Sequence, residues 1–523
     1  MGKEIGIDLG TTNTVVSYVN KNGKLRQLRY DGKEIIIPSV IYFRNKDEYF
    51  IGDTAQKFYR LNPQAGVANF KTTIGNSERY EIIPDEGKPF SKRSREIAQL
   101  FLNKIVVGME EKLIKEFGAA EGYIDRAVIT VPAKFNSTEK GATRNAARSA
   151  GLSDVKLAAE PTAAAVAYED AQGDDNSRSV ILIYDFGGGT FDVSIIQKNN
   201  GIFEEITTGG DKALGGNILT NILAEEILNR VNEDYGVEFP LNEDEFDEDY
   251  HGISLTDYRK NMFEIWRVAN LIKEELSSNE DITEELNINL PGDKSQLIEV
   301  NFSREELEEY FREYIERTVD ITVQEIQRAK DLGFDTIDQI VLAGGSSNIP
   351  LVKNLLEEVL QNQEVIFCDD VSTLISRGAA LLANHQVETP SVTNVEMGVA
   401  ATEGIHFERF QMIIPANVPL PCTKKKVFFL SQDNQRRLEI EYYERDIKNF
   451  PNASRTDDDG IEQIDSLVID NLPPNLRANN TLVEVEFTAQ RDGSLDINVV
   501  LKDNGGNEIS SGNMTFEKKS DLE

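Results

Sequence analysis

Up to about residue 385, short β-branched runs alternate with long stretches whose apolar positions recur at helical spacing. Glu4–Leu9 and Thr14–Val19 read as paired strands, Arg95–Phe117 as a helix, Ala127–Val131 as a buried strand and Thr138–Ala150 as the next helix. Ser179–Tyr184 and Phe191–Ile196 predict two more strands, and helices are expected at about Asn217–Tyr235, Thr256–Ser277 and Arg304–Asp331. Ile340–Ala343 reads as a strand, with Pro350–Leu360 and Ser372–Asn384 as closing helices. This alternation predicts α/β architecture, with layers on both sides of a sheet.

The pattern then changes. Gln386–Glu396 holds Pro390 and polar residues without a period, so residues 386–396 read as a linker. Beyond it, Phe407–Ile414, Lys425–Leu430, Leu438–Tyr443, Thr481–Thr488 and Leu495–Leu501 are strand-like runs separated by Asn, Asp, Gly and Pro. They predict a compact all-β domain over residues 397–523, following an α/β domain over residues 1–385. The last strand candidate, Gly512–Glu517, ends near the C-terminus, so no terminal helical domain is expected.

A length of 523 residues exceeds what one core supports. The 90 Asp and Glu against 55 Lys and Arg give a formal net charge of −35, which repels phosphate backbones and anionic lipid. Nucleic acid and membrane are therefore poor partners. A metal-bound nucleotide remains open, because local backbone dipoles decide such binding. The two cysteines, Cys368 and Cys422, form no CxxC and predict a reduced compartment. His251, His385 and His406 sit near no Ser or Cys motif and at no metal-ligand spacing, so histidine acid–base chemistry is not expected. The acidic run Glu243–Asp249 reads as a solvated loop in preference to a cation site. With no apolar leader before Asp8, Gly6 where myristoylation needs Ser or Thr, and no apolar span of ~20 residues, the expected location is cytoplasmic.

Two turns carry the candidate chemistry. Gly6-Ile7-Asp8-Leu9-Gly10-Thr11-Thr12-Asn13 lies between two expected strands, and so does Asp185-Phe186-Gly187-Gly188-Gly189-Thr190-Phe191-Asp192. Glycine permits a tight bend and close approach of successive N–H groups to an anion. An Asp at the head of each turn suits Mg²⁺ held through its waters. The shared grammar of the two turns points to an internal duplication with one phosphate site at its interface. Gly-x-x-x-x-Gly-Lys-Ser/Thr is absent, which excludes a P-loop. Asp185-Phe186-Gly187 matches a protein-kinase triplet, but no His-Arg-Asp loop precedes it.

Gly6–Asn13, Asp185–Asp192 and Val341-Leu342-Ala343-Gly344-Gly345-Ser346-Ser347 together resemble the phosphate and adenosine motifs of the actin, sugar-kinase and chaperone superfamily. Val131-Pro132-Ala133-Lys134-Phe135-Asn136 and Ala159-Glu160-Pro161-Thr162-Ala163-Ala164-Ala165 narrow this resemblance to the 70-kDa heat-shock, DnaK-type chaperones. It spans about residues 1–385 and continues more weakly through the β-domain, best around Ser431-Gln432-Asp433-Asn434-Gln435. It implies a two-lobed actin-like ATPase with duplicated ribonuclease H-like sheets, followed by a β-sandwich; the strand pattern that runs to the end of this sequence leads us to expect no helical lid after it.

The resemblance also assigns roles. Asp8 and Asp185 match the carboxylates on the magnesium waters; Gly10, Thr11, Thr12, Asn13 and Gly187, Gly188, Gly189, Thr190 match the phosphate cradle. Lys71, in Asn69-Phe70-Lys71, matches the lysine at the γ-phosphate and attacking water, with Glu160 and Asp192 as further acids. Gly215, Gly216, Lys273, Ser277, Gly344, Gly345 and Ser346 match the adenosine pocket. ATP or ADP with Mg²⁺, and K⁺ as a further candidate ion, are the implied ligands. The implied partners are unfolded polypeptide, a J-domain co-chaperone and a nucleotide-exchange factor.

Several positions depart from the family. Where it clamps adenine with arginines and a glutamate, this chain has Glu274, Asn348 and Asn270. Losing cation stacking, worth about 0.5–2 kcal/mol per contact, predicts an ordinary site of reduced affinity. Pro132 and Lys140 stand at the family's proline switch and arginine relay, and Val387-Glu388-Thr389-Pro390-Ser391-Val392 replaces its acidic-leucine linker. In the β-domain, Val399, Phe428 and Leu438 align with the apolar peptide slot and suit a sandwich core equally well. The expected function is an ATP-driven chaperone binding apolar extended segments. The alternatives are a specialised relative acting as a regulator or exchange partner and, less favoured, a small-molecule kinase; filament formation is opposed by the charge.

Overall fold

A computed structural model describes residues 3–515 apart from 31–33, 78, 173–177, 200, 293, 361–364, 368–370, 385–392, 394, 403–407, 417, 419, 446–452, 459 and 491–494. Most of the expected linker, with Cys368, His385, His406 and the end of the last expected strand, lies outside the described residues. The chain divides into two compact units: Met1–Thr73, Glu78–Ala133 and Ala150–Glu388 form the first, and Ile74–Ser77, Lys134–Ser149 and Thr389–Glu523 the second. No helix among the described residues is long and apolar enough to cross a membrane.

The first unit contains two five-strand paths of one topology. Strand β1 (Lys3–Leu9) pairs antiparallel with β2 (Asn13–Val19), which pairs antiparallel with β3 (Leu25–Gln27) and, at its start, with β4 (Ile37–Pro38). Helices α1 (Gly52–Leu61) and α2 (Ser94–Phe117) precede β5 (Ile124–Val131), which runs parallel to β1. Helix α3 (Ser137–Ser149), grouped with the second unit, leads to β6 (Asp154–Ala159), parallel to β5. The order is β6-β5-β1-β2-β3. Helix α4 (Glu160–Gln172) follows without a loop.

The pattern then repeats. Strands β7 (Ser179–Phe186), β8 (Phe191–Asn199) and β9 (Ile202–Asp211) are successively antiparallel. Helices α5 (Gly216–Tyr235) and α6 (Leu255–Glu275), a hairpin of β10 (Asp281–Leu290) and β11 (Lys294–Ser303), and α7 (Arg304–Asp331) intervene. Strand β12 (Gln339–Ala343) returns parallel to β7, and α8 (Pro350–Val359) leads to β13 (Val365–Phe367), parallel to β12. The order β9-β8-β7-β12-β13 copies the first sheet strand for strand. Continuous apolar runs such as Ile181–Tyr184 and Ile340–Ala343 are wholly buried, as expected for strands covered on both faces.

Helix α9 (Leu374–Ala383) packs on β1 and α4. Only a glycine allows the α4 approach: a Cβ on Gly378 would overlap the backbone of Ala163. The hairpin β10–β11, β9, β6 and α4 were not read from the sequence. In the hairpin, Leu286, Ile288, Ile298, Val300 and Phe302 alternate onto the core shared with α6, while the opposite face is polar apart from the exposed Leu297. Arg60 of α1 lies over two rings of α6, 4.9 Å from the Phe263 centroid and 5.7 Å from that of Trp266.

In the second unit, β14 (Glu396–Thr402), β15 (Glu408–Ile414), β17 (Leu438–Arg445) and β18 (Ile461–Ile469) form one antiparallel sheet, ordered β15-β14-β17-β18. The other contains β16 (Cys422–Phe429), β19 (Leu482–Ala489), β20 (Leu495–Lys502) and β21 (Glu508–Thr515), in that order. Alternate residues Val483, Val485, Phe487 and Ile497, Val499, Leu501 meet Val399, Leu438 and Tyr442 in one core. The all-β expectation thus corresponds to a two-sheet sandwich, with β14 and β18 as strands the sequence reading left out. Helix α3 packs on β18 and β20 within this unit, and its buried Arg144 has a pKa lowered to about 10 by desolvation and then Arg148, with Asp496 opposing.

Arg60→Ala removes a stacked cation worth about 0.5–2 kcal/mol. Trp266 is the only tryptophan, so the expected outcome is a lower thermal midpoint with a red-shifted emission; an unaltered spectrum would show that Arg60 does not cover the ring.

Candidate functional site

The equivalent turns of the two sheets meet face to face. Asp8 stands one residue before the end of β1, opposite Val15, and Asp185 one residue before the end of β7, opposite Asp192. A Cβ on Gly188 would come within 2.7 Å of Thr12 Oγ1, and one on Gly189 within 2.9 Å of Thr11 Cγ2. Side chains at either position would push the turns apart. Asn217, at the start of α5, donates from Nδ2 to Thr12 Oγ1 at 3.3 Å and so bridges the second sheet's half to the first turn.

A cavity of about 130 Å³ lies against these turns. Asp8, Gly10, Thr11, Thr12 and Asn13 line it from the first turn, and Asp185, Gly187, Gly188, Gly189 and Thr190 from the second. Lys71, Glu160, Gly344 and Gly345 complete the predicted residues on its wall. Asp192 is not on the wall; its Oδ2 accepts from Thr190 Oγ1 at 3.1 Å. Pro132, named from sequence only as a switch, also lines the cavity, as do Ile36, Val371, Ser372 and Ile375, which carried no motif.

Lys71 is placed by its neighbour. Phe70 is fully buried against Phe101, with ring centroids 5.3 Å apart, and anchors the short helical turn Phe70–Thr73. Lys71, 3% exposed, donates to Glu160 Oε1 at 2.5 Å, and Glu160 is the first residue of α4. Such a pair is costly to break, because either partner alone would be a buried, uncompensated charge.

The electrostatics are lopsided. Burial, then Glu160, raise the Asp8 carboxyl to about 7, with Lys71 and the Thr130 hydroxyl opposing. Burial, then Glu160, Asp192 and Asp8, hold Asp185 well above the usual carboxylate range, with Lys71 opposing. These carboxylates outnumber the Lys71 ammonium that opposes them, so the arrangement favours an added cation. Among the described residues no three or more His, Cys, Asp or Glu are grouped as a direct metal cage. Two carboxylates facing one cavity fit a hydrated Mg²⁺, which keeps most of its waters.

The residues matched to adenosine are placed differently. Gly215, Gly216, Lys273, Ser277 and Ser346 are off the cavity wall. Lys273 Nζ donates to Gly216 O (3.1 Å), Thr220 Oγ1 (2.7 Å) and Asn270 Oδ1 (3.0 Å), tying α6 to α5. Desolvation lowers its pKa to about 8, with Glu274 opposing. Ser277 Oγ donates to Lys273 O at 3.2 Å, and Ser346 Oγ to Gly187 O at 3.0 Å. Of the three altered clamp positions, Asn270 donates to Glu274 Oε1 at 2.8 Å and Asn348 to Gly345 O at 3.1 Å.

The remaining candidates fall outside this site. Val399 and Leu438 lie within the sandwich core, and Phe428 is partly buried against it. Glu243 of the acidic run pairs with Arg259 at 2.5 Å. Ser39 and Asn217 were missed by the sequence reading, since only long-range pairing brings them to the turns.

The family profile described as Hsp70 protein matches residues 4–522. Chaperone protein DnaK of Thermotoga neapolitana is 30% identical over 452 residues, 84% of this chain and 70% of the relative. The proteins of the same name from Thermotoga petrophila and Thermotoga maritima match with the same identity and coverage.

The Lys273 shift has a defined consequence for stability. Its pKa is about 8 folded against 10.5 for the ordinary group, so between these values the unfolded chain holds a proton that the folded one has released. Stability then rises with pH across that window. Relative to Lys273→Met, the wild type is expected to gain of order 1–3 kcal/mol between pH 8 and 10.5 in denaturant titrations. Parallel pH profiles for the two proteins would exclude the shift.

Proposed function

Since the chain belongs to the Hsp70 family, we propose that it is an ATP-hydrolysing chaperone, with residues 1–385 as the nucleotide-binding domain, 386–396 as the linker and 397–523 as the peptide-binding domain. The observation that carries this reading is the convergence of both turns, Asp8, Asp185, Lys71 and Glu160 on one cavity.

In this reading, backbone N–H groups and hydroxyls of Thr11, Thr12 and Gly187–Thr190 bind the phosphates of ATP. Asp8 and Asp185 would hold Mg²⁺ through its waters, and the bound ion would supply charge neutralisation at the phosphates. Lys71 places its ammonium against the γ-phosphate, and Glu160 keeps it there in the absence of other anions. The attacking water is oriented by Lys71 and by the acidic group of Glu160, Asp185 and Asp192. Phosphoryl transfer needs this positioning and no covalent nucleophile. The β-domain grips an apolar extended segment of an unfolded client, and a J-domain co-chaperone and a nucleotide-exchange factor act on the cycle in the cytoplasm.

A second reading has its own support. The adenine-clamp positions carry Asn270, Glu274 and Asn348, and Lys273 is engaged within its own helix pair. A regulator or exchange partner that binds nucleotide and turns it over rarely would have such a site.

Calorimetry with Mg-ATP and a turnover assay with and without an apolar heptapeptide separate the readings. The chaperone reading expects heat at millimolar nucleotide or below, turnover raised by peptide, and about a 100-fold loss of turnover in Lys71→Met with binding retained. Binding without turnover in the wild type favours the regulator, and no binding at all sinks both.

A further inference from the structure

A phosphate turn works only when its N–H groups face the anion, and peptide geometry offers a way to enforce this. In a trans peptide unit the N–H points opposite to the carbonyl that precedes it. A turn carbonyl tied back away from the cavity therefore presents the next N–H to the cavity. Both turns show such ties. In the second, Gly187 O accepts from Gly216 N–H at 2.9 Å and from Ser346 Oγ at 3.0 Å, and Gly188 O accepts from Asn217 N–H at 2.7 Å.

In the first turn a single residue supplies both ties. Ser39 Oγ donates to Gly10 O at 2.8 Å, and Ser39 N–H donates to Thr12 O at 2.8 Å. Ser39 is 1% exposed and does not line the cavity. Its oxygen lies 2.9 Å from Thr14 Oγ1; because its one proton goes to Gly10, Thr14 is the donor there. The residue is brought to the turn by β4, where Pro38 pairs with Asn13 just before the chain reaches Ser39.

We propose that Ser39 is a positioning residue for nucleotide phosphate: its hydroxyl orients the Gly10 peptide so that Thr11 N–H faces the anion, and Ser346 does the same for Gly188 N–H in the second turn. This rests on the reading of the cavity as an ATP site. Gly10 has the backbone freedom to lose this orientation when the tie is cut. Ser39 touches no substrate and acts only through the turn.

The test compares Mg-ADP, by calorimetry, with adenosine, by ligand-observed NMR, on the full chain and on Ser39→Ala. Loss of one buried hydrogen bond to the turn is expected to weaken Mg-ADP roughly five- to tenfold. Adenosine affinity should stay within about twofold, because that ligand lacks the phosphates the turn holds. A loss shared equally by both ligands would mean a general structural role and overturn the proposal, as would unchanged Mg-ADP affinity. A wild type that fails to bind Mg-ADP overturns the ATP-site reading instead, a result distinct from two proteins that bind alike. If Ser39→Ala does not fold, Ser346→Ala carries the test: the same phosphate-dependent loss is expected, smaller at roughly two- to fourfold because Gly216 N–H still holds Gly187 O. Equal affinities for wild type and Ser346→Ala would then overturn it.

Discussion

The buried contact between Lys71 and Glu160 is the point on which the site turns. It sets an ammonium beside Asp8 and Asp185 in a region where burial works against every charge. Remove the ammonium, and the acids face one another with no fixed counter-charge. Remove Glu160, and a buried lysine is left to find another partner among the same acids. The pair therefore makes a dense group of carboxylates tolerable in the folded protein while leaving the cavity short of positive charge. A cleft of that kind discriminates against a bare polyanion and favours one that brings its own divalent cation.

Geometry around the pair comes from duplication. Each sheet carries an Asp one residue before the end of its first strand, turns through Gly and Thr, and returns antiparallel, so two copies placed face to face line one cavity. The contact is close enough that a Cβ on Gly188 or Gly189 would run into Thr12 or Thr11, and the cavity takes its lining from both halves. The repeat is not exact in its supports. The first turn is tied by one serine through side chain and backbone, the second by Ser346 together with the start of α5. The same physical requirement, carbonyls outward and N–H groups inward, is met from different parts of the chain.

Much of this was legible in the sequence because it is local. The Asp-Gly-Thr grammar, the helical periods of α2, α5, α6 and α7, and the change to short alternating runs after residue 396 all depend on neighbours within a few positions. What escaped was set by distance or by partners. Ser39 carries no motif of its own and acquires a role only because β4 pairs with β2. The hairpin β10–β11 does alternate, at Leu286 and Ile288 and at Ile298, Val300 and Phe302, but its acidic outer face reads like solvated chain until α6 covers the inner one. Lys273 was assigned to adenosine by likeness, whereas its surroundings show three acceptors on α5 and α6. For Val399 and Leu438 the sequence left slot and core level, and the structure puts both side chains inside the sandwich.

On the proposed reading, the division between phosphate and adenine sides also orders the energetics. Phosphate contacts on this reading come from both sheets, so a bound triphosphate bridges the halves and its loss would loosen them. The groups matched to adenosine come from α5, α6 and the turn after β12, all within the second sheet's half. On that reading, weak stacking there would lower affinity for every adenine nucleotide by a similar factor, because the same ring would meet the same surface whatever phosphates follow. It would leave untouched the difference between triphosphate and diphosphate, which on the same reading the two turns and Lys71 decide. A chain with a poor adenine clamp can therefore retain a full response to hydrolysis, provided the working nucleotide concentration is high enough to fill the site.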